Sequence, residues 1–183
     1  MHLPKKGLRA IGIAESYTGR SVSRLAGVVM RKDLRIDGFI FSTVTVGGMD
    51  ATSSILGMMN ELNRRDINVI MLSGCVIAWF NIINPARIAQ ETGVPSICVT
   101  YQDSEGLNAD IRYHFPDDRA RITAYENLGE RIPVELHTHQ TIFIRSWGID
   151  QRDAARLCND FTLEGKIPEP LRVARLCARH LLP

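Results

Sequence analysis

Two acidic residues stand at points of the sequence where a carboxylate can do chemistry. Glu15 follows the apolar segment Leu8–Ile13, which predicts a first strand, and Asp50 follows a turn at Gly47-Gly48 and opens a predicted helix. A carboxylate at the edge of a central strand costs desolvation free energy unless a partner compensates it. Mg²⁺ is such a partner, because it is commonly bound by one or two protein carboxylates and waters. The pair therefore predicts a metal site, although Asp50 alone is more typical of a helix cap.

Small and polar residues follow the fourth and fifth predicted strands, at the edge where ligands bind in open α/β sheets. Ser73-Gly74-Cys75 ends the fourth strand, and Asp103 follows the fifth. Ser73 does not lie in a G-x-S-x-G motif, which disfavours a hydrolase nucleophile. Asp103 is more typical of a helix cap than of a metal ligand. These residues are therefore predicted to line a site and to let a ligand approach closely.

Two further patterns have both a functional and an ordinary interpretation. His137 and His139 are two residues apart on a predicted strand, where such a pair can bind metal, but an exposed polar face is preferred because no third ligand is evident. Arg172, Arg175 and Arg179 recur at spacings of three and four on the last predicted helix. They could contact phosphate, although a solvated helix face is the more common explanation.

The composition is ordinary for a globular protein, with 183 residues of which 45% are hydrophobic and 23% charged. This length favours one domain over residues 1–183. The net charge of +2 neither indicates nor excludes nucleic-acid binding. None of the four cysteines lies in a C-x-x-C pair, which disfavours a zinc site or a disulfide framework and favours a reduced, cytoplasmic protein. No segment has the length of a membrane span, and no secretory signal is evident.

The order of the predicted elements indicates a mixed sheet. Three strands joined by tight turns come first and predict an antiparallel meander. Two buried strands with a helix between them follow, which predicts a right-handed parallel crossover. Such a mixed α/β sheet is typical of ribonuclease H-like nucleases. The predicted strands and helices, in chain order, lie at Leu8–Ser16, Ser21–Arg31, Leu34–Val46, Ala51–Arg65, Asn68–Cys75, Pro85–Thr92, Pro95–Tyr101, Asp103–His114, Asp118–Glu130, Pro133–His139, Thr141–Trp147, Asp150–Phe161 and Ile167–Leu181.

Five segments combine into a more specific pattern: Gly12–Ser16, Leu25–Val29, Ile36–Phe39, Val46–Thr52 and Val69–Cys75. Together they resemble the DUF99 (UPF0215) family, also called endonuclease dU, which is similar to endonuclease V. The resemblance extends over nearly the whole chain. It implies a ribonuclease H-like fold and, for active members, cleavage of DNA containing deaminated bases such as deoxyuridine, with Mg²⁺ or Mn²⁺.

The sequence departs from this family at two acidic positions. The usual first-strand pattern is Gly-Ile-Asp-Asp, where residues 12–15 read Gly-Ile-Ala-Glu, and the usual fourth strand ends Leu-Asp-Gly, where residues 72–74 read Leu-Ser-Gly. Two positions expected to carry metal-binding acids thus hold Ala14 and Ser73. Because a two-metal mechanism needs more carboxylates than those that remain, a weakened activity is expected.

Three hypotheses follow. The leading one is a metal-dependent endonuclease-like protein of DNA repair, with Glu15 and Asp50 as catalytic residues and as ligands of Mg²⁺ or Mn²⁺. The second is a nuclease-fold protein that has lost catalysis and binds nucleic acid or a partner. The third is a small-molecule enzyme that uses Ser73, Cys75 and the edge at Asp103–Glu105. The first two predict DNA or another nucleic acid as partner, and no pattern indicates a membrane or an oligomeric state. The residues expected to line the site are Ser16, Tyr17, Gly47, Gly48, Ser73, Gly74, Cys75 and Asp103.

Overall fold

The computed structural model describes residues 7–17 and 21–180. The strands are β1 (Arg9–Ser16), β2 (Val22–Arg31), β3 (Ile36–Thr45), β4 (Val69–Ser73), β5 (Val76–Ile77), β6 (Asn81–Ile82), β7 (Ser96–Thr100), β8 (Ile132–Glu135) and β9 (Thr141–Trp147). The helices are α1 (Ala51–Leu62), α2 (Pro85–Thr92), α3 (Asn108–His114), α4 (Arg119–Glu126), α5 (Gln151–Asp160) and α6 (Glu169–His180).

Seven strands form one mixed sheet in the order β3-β2-β1-β4-β7-β9-β8, and β5 pairs with β6 in a separate hairpin. β1, β2 and β3 are antiparallel neighbours, which confirms the predicted meander. β4 runs parallel to β1, and β7 runs parallel to β4, as the strand–helix–strand pattern predicted. The carboxyl ends of β1, β4 and β7 therefore lie at one edge of the sheet.

The sheet has an apolar layer on each face. In β4, Ile70 and Leu72 face a core that includes Ile55 of α1, whereas the alternate residues Val69 and Met71 face a core built with α5 and α6. Successive side chains of a strand point to opposite faces, so a strand covered on both sides reads as a continuous apolar run. Burial on both faces explains why β4 could be predicted from its continuous apolar sequence.

Several predicted bounds were too long. The helix predicted to begin at Asp103 begins at Asn108, because residues 102–107 form a loop. The helix predicted to end at Glu130 ends at Glu126, and Gly129 has a left-handed φ of +69°. The strand predicted to reach His139 ends at Glu135, since His139 turns the chain with a φ of +59°. The β5–β6 hairpin was missed. Residues 18–20, which belong to the predicted turn between the first two strands, lie outside the described residues. So does Leu181, the predicted end of the last helix.

Two of the four cysteines lie close together. Cys75, just after β4, is paired with Cys98 of β7 at a Cα–Cα distance of 6.2 Å, which a disulfide can span. The two residues meet because β4 and β7 are adjacent parallel strands. Cys158 and Cys177 are free. Within residues 7–17 and 21–180, no helix is long and apolar enough to cross a membrane.

Candidate functional site at the carboxyl edge of the sheet

The last residues of β1 and β4 meet in a small cavity, called here the Glu15 cavity. It has a volume of about 10 Å³, close to the space that one water requires. Glu15, Ser73 and Gly74 line it together with Ile77 of the β5–β6 hairpin. Glu15 and Ser73 thus both line this cavity, but strand alternation directs their side chains to opposite faces of the sheet. Asp50 is not among the residues that line this cavity.

Glu15 is held by groups from two neighbouring segments. Burial raises the pKa of Glu15 above its usual range, and hydrogen bonds from Ser23 and from the Ala78 backbone oppose this shift. The hydroxyl oxygen of the buried Ser23 lies 2.5 Å from Glu15 Oε1 and 2.7 Å from the Ser16 carbonyl oxygen. Burial is the larger effect, so the neutral acid is favoured more than in an exposed glutamate.

Asp50 has its oxygens occupied by a turn. Its carboxylate accepts hydrogen bonds from the Thr45 amide at 3.1 and 3.2 Å, from Thr45 Oγ1 at 2.7 Å and from Asn81 Nδ2 at 2.6 Å. Burial alone would raise the pKa of Asp50, but the hydrogen bonds from Thr45 and Asn81 hold it below its usual value. Asp50 occupies the N-cap position of α1, yet its side chain bonds no helix amide. It therefore closes the β3–α1 turn.

Asn81 connects this turn to the β5–β6 hairpin. Its side chain is fully buried. Oδ1 accepts from the Ala51 amide at 3.1 Å, and Nδ2 donates to the Thr45 carbonyl at 2.9 Å as well as to Asp50. Sequence reasoning missed this residue, for which the only signal was a lone amide within the apolar run 76–83.

The loop between β5 and β6 is strained. Ala78, Trp79 and Phe80 all have left-handed backbones, with φ values of 41°, 60° and 60°, which costs roughly 1–2 kcal/mol per residue outside glycine. Such strain persists only where the surrounding structure imposes it. Here the Ala78 carbonyl accepts from the Gly47 amide at 2.8 Å, while the Ala78 amide bonds Glu15. Trp79 remains 45% exposed beside the His114 ring, 4.9 Å away.

Arg121 of α4 binds the β5–β6 loop and the turn at Gly47-Gly48 through its guanidinium group. Its guanidinium donates to the carbonyls of Gly47 at 2.8 Å, of Gly48 at 3.0 Å and of Phe80. The side chain is only 4% exposed and pairs with Asp118 at 3.0 Å. Gly47 and Gly48, predicted to line the site, thus present their carbonyls to Arg121. A buried arginine on a polar helix has no local sequence signal, so sequence reasoning missed it too.

The remaining predicted residues lie in separate places. Tyr17 is exposed where β1 ends. Cys75 is paired with Cys98 and does not line the Glu15 cavity. Asp103 is exposed on the rim of a cleft of about 640 Å³, 3.5 Å from Arg131, and does not line the Glu15 cavity.

These residues do not fit a two-metal centre. Within the described parts of the chain, no group of three or more His, Cys, Asp or Glu side chains is placed to hold a metal ion. Ala14 packs against Val28 and Ala174. The Ser73 side chain lies beside Tyr101, on the face of the sheet opposite to Glu15, and Asp50 is engaged in its turn. Glu15 is the one carboxylate of the cavity.

Comparisons with solved structures identify the fold. A protein of unknown function from Archaeoglobus fulgidus superimposes with a TM-score of 0.83 at 23% identity, over 95% of this chain and 98% of that one. Endonuclease V from Ciona intestinalis, solved with a 24mer DNA containing an inosine followed by a ribo-adenosine, superimposes with a TM-score of 0.64 at 15% identity. The match covers 97% of this chain and 86% of that one. The ribonuclease H-like fold is confirmed.

Sequence comparisons identify the family. A UPF0215 protein from Pyrobaculum calidifontis is 40% identical over 173 residues, which are 92% of this chain and 93% of that protein. The model of the family described as Endonuclease dU matches residues 6–182. The resemblance noted in the sequence is thereby confirmed: the chain belongs to the endonuclease dU (UPF0215) family.

Proposed function

We propose that this protein is endonuclease-like and engages DNA containing a deaminated base, such as deoxyuridine, at the carboxyl edge of its sheet, where it cleaves weakly. The cavity that Glu15 and Ser73 line where β1 and β4 end carries the proposal. Membership of the endonuclease dU family and the likeness to a DNA-bound endonuclease V support it.

The weakness of cleavage follows from the carboxylates. Metal ions in nucleases stabilise both the attacking and the leaving oxygen, and carboxylates gather those metals. Bound Mg²⁺ or Mn²⁺ would have Glu15 as its one carboxylate ligand in the cavity. Because this set does not fit a two-metal centre, we assign no cleavage step to a metal.

A nicking assay on deoxyuridine-containing DNA, in Mg²⁺ and in Mn²⁺, tests the proposal. Glu15→Gln should abolish whatever cleavage exists. Ser73→Asp restores an acid at the end of β4, next to the Glu15 cavity, and should raise both metal affinity and cleavage. Glu61→Gln and Ser53→Asp make the same changes at exposed positions of α1 and should alter neither. Cleavage by Glu15→Gln at the wild-type rate would refute the proposed role of Glu15.

The second candidate is a nuclease-fold protein that binds nucleic acid without cutting it. The saturation of Asp50 by Thr45 and Asn81 favours it, because this acid is not free to join Glu15. In that case DNA binds, neither metal supports cleavage, and Ser73→Asp restores none. The same nicking and binding assays therefore separate the two candidates.

A further inference from the structure

A second cavity lies on the other side of Gly74 and is called here the arginine pocket. Its volume is about 130 Å³, and it is lined by Arg131 and Arg145 together with Thr100, Ser104 and Tyr125. Gly74 also lines the Glu15 cavity, so the two cavities share one residue as their common wall. The arginine pocket thus belongs to the same carboxyl edge of the sheet.

The arginine pocket has two positive charges and no acid in its lining. Arg145 donates to the Gly129 carbonyl at 2.9 Å, and within the described residues it forms no ion pair. Arg131 donates to the backbone carbonyls of Gln102 and Ser104. Its one ion pair, at 3.5 Å, is with Asp103, which is 79% exposed. An ion pair with so exposed a partner contributes little.

Arg145 is partly buried, and this burial is unfavourable without an anion. Burial lowers the pKa of Arg145; Tyr125 opposes this shift, and the nearby charge of Arg131 adds to it. Taking a charged group out of water costs free energy unless an opposite charge compensates it. Two guanidinium groups beside one cavity form a favourable arrangement for phosphate, since arginine can donate two parallel hydrogen bonds to phosphate oxygens.

We propose that the arginine pocket binds one phosphate group, and that this phosphate belongs to the DNA strand whose neighbouring nucleotide lies at the Glu15 cavity. The shared wall at Gly74 places the two positions side by side. Arg131 and Arg145 also line the larger outer cleft, whose rim acids repel a polyanion. These rim acids are Asp103, Glu105, Glu126 and Glu130. The lining of the arginine pocket supports phosphate binding by itself. The assignment of that phosphate to DNA rests on the proposed function.

The test measures binding in the presence of a chelator, so that no metal contributes. Three probes are titrated by calorimetry: inorganic phosphate, deoxyuridine monophosphate and a single-stranded oligonucleotide containing deoxyuridine. The variants are Arg145→Gln and Arg131→Gln, with the exposed Arg65→Gln as a control for the loss of one charge. Arg145→Lys keeps the charge but not the paired donors, and it replaces Arg145→Gln should that variant fail to fold.

Arg145→Gln should weaken the binding of inorganic phosphate at least tenfold, while Arg65→Gln leaves it unchanged. Arg145→Lys should fall between Arg145→Gln and wild type. For the oligonucleotide, loss of one phosphate contact should reduce the slope of log affinity against log salt by about 0.7. Phosphate binding that is equal in wild type, Arg145→Gln and Arg131→Gln would overturn the arginine pocket.

Failure of this inference and failure of the proposed function give different results. If the oligonucleotide binds and its salt slope is unchanged in both arginine variants, the inference is wrong and the proposed function stands. If phosphate and the monophosphate bind through Arg145 but the oligonucleotide does not bind, the pocket is a nucleotide or phosphate site. In that case the assignment to DNA is wrong along with the proposed function.

Discussion

Replacing Arg121 by alanine should destabilise the protein strongly, because this side chain holds the walls of the candidate site together. Arg121 is 4% exposed and satisfies the carbonyls of Gly47, Gly48 and Phe80. Its guanidinium also lies 4.0 Å from the centre of the Phe115 ring. Alanine would leave three carbonyls without their donor and would release the left-handed loop that positions the Ala78 amide against Glu15.

The magnitude follows from the number and type of contacts. A hydrogen bond to a charged group contributes about 1.5–3 kcal/mol, but water that enters the vacated space replaces part of this. Removing one partner from a buried charged network costs about 3–5 kcal/mol in practice. We therefore expect the free energy of unfolding to fall by about 3–5 kcal/mol for Arg121→Ala. In a domain of this size, each kcal/mol lowers Tm by about 2–4 °C, so the expected loss is on the order of 10 °C.

Denaturant and thermal unfolding of Arg121→Ala, Arg121→Lys and Arg119→Ala provide the assay. Arg119 is on the same helix but exposed, so its removal should change stability by no more than about 0.5 kcal/mol. Arg121→Lys keeps a charge that can reach only part of the carbonyl set, and it should recover part of the loss. Equal stability of Arg121→Ala and Arg119→Ala would refute the role given to Arg121.

Three further predictions concern Glu15, Asp50 and two glycines. Glu15→Gln should raise Tm at neutral pH, because burial raises the pKa of Glu15 and makes its ionised form unfavourable in the folded state. This gain should disappear as the pH falls below about 4.3. Thermal melts against pH check it, and a gain equal to that of Glu61→Gln would contradict it. Asp50→Asn should lose stability at neutral pH and lose least in acid, because hydrogen bonds hold the pKa of Asp50 below its usual value of about 3.9; a loss that is the same at every pH in these melts would contradict it. Gly12→Ala should destabilise the protein by about 1–3 kcal/mol, since its new Cβ would lie 2.7 Å from the Leu171 amide nitrogen. Gly57→Ala, which has open space on α1, should stabilise the protein by about 0.5–1 kcal/mol. Equal denaturation midpoints for the two variants would contradict the close packing at Gly12.

The parts of the fold with local signals were predictable from the sequence. Helix α2 is an example, because Asn84 caps its start by accepting from the Arg87 amide at 3.0 Å, Pro85 opens it and Gly93 ends it with a φ of +66°. Each of these preferences is a property of the residue itself. The apolar run of β4 is local in the same sense.

The contacts that build the candidate site are not local. Arg121 reaches the Gly48 carbonyl across 73 positions of the chain, and Asn81 reaches Asp50 across 31. The sequence identified Asp50 as a helix start, but only the fold shows that its carboxylate turns back to Thr45. Likewise, only the fold shows that Arg145 lines a pocket together with Arg131. These side chains carry no periodic or motif signal of their own.

The central claim is that DNA binds at the carboxyl edge where β1, β4 and β7 end. Hydrogen exchange of the backbone amides, measured in a chelator with and without a deoxyuridine-containing oligonucleotide, tests it most directly. The account predicts slower exchange on DNA binding for the segments 73–80 and 100–107, which surround the Glu15 cavity and the arginine pocket. The opposite edge, at 31–36 and 66–68, should be unchanged. Protection confined to that opposite edge, or no protection anywhere, would contradict the account.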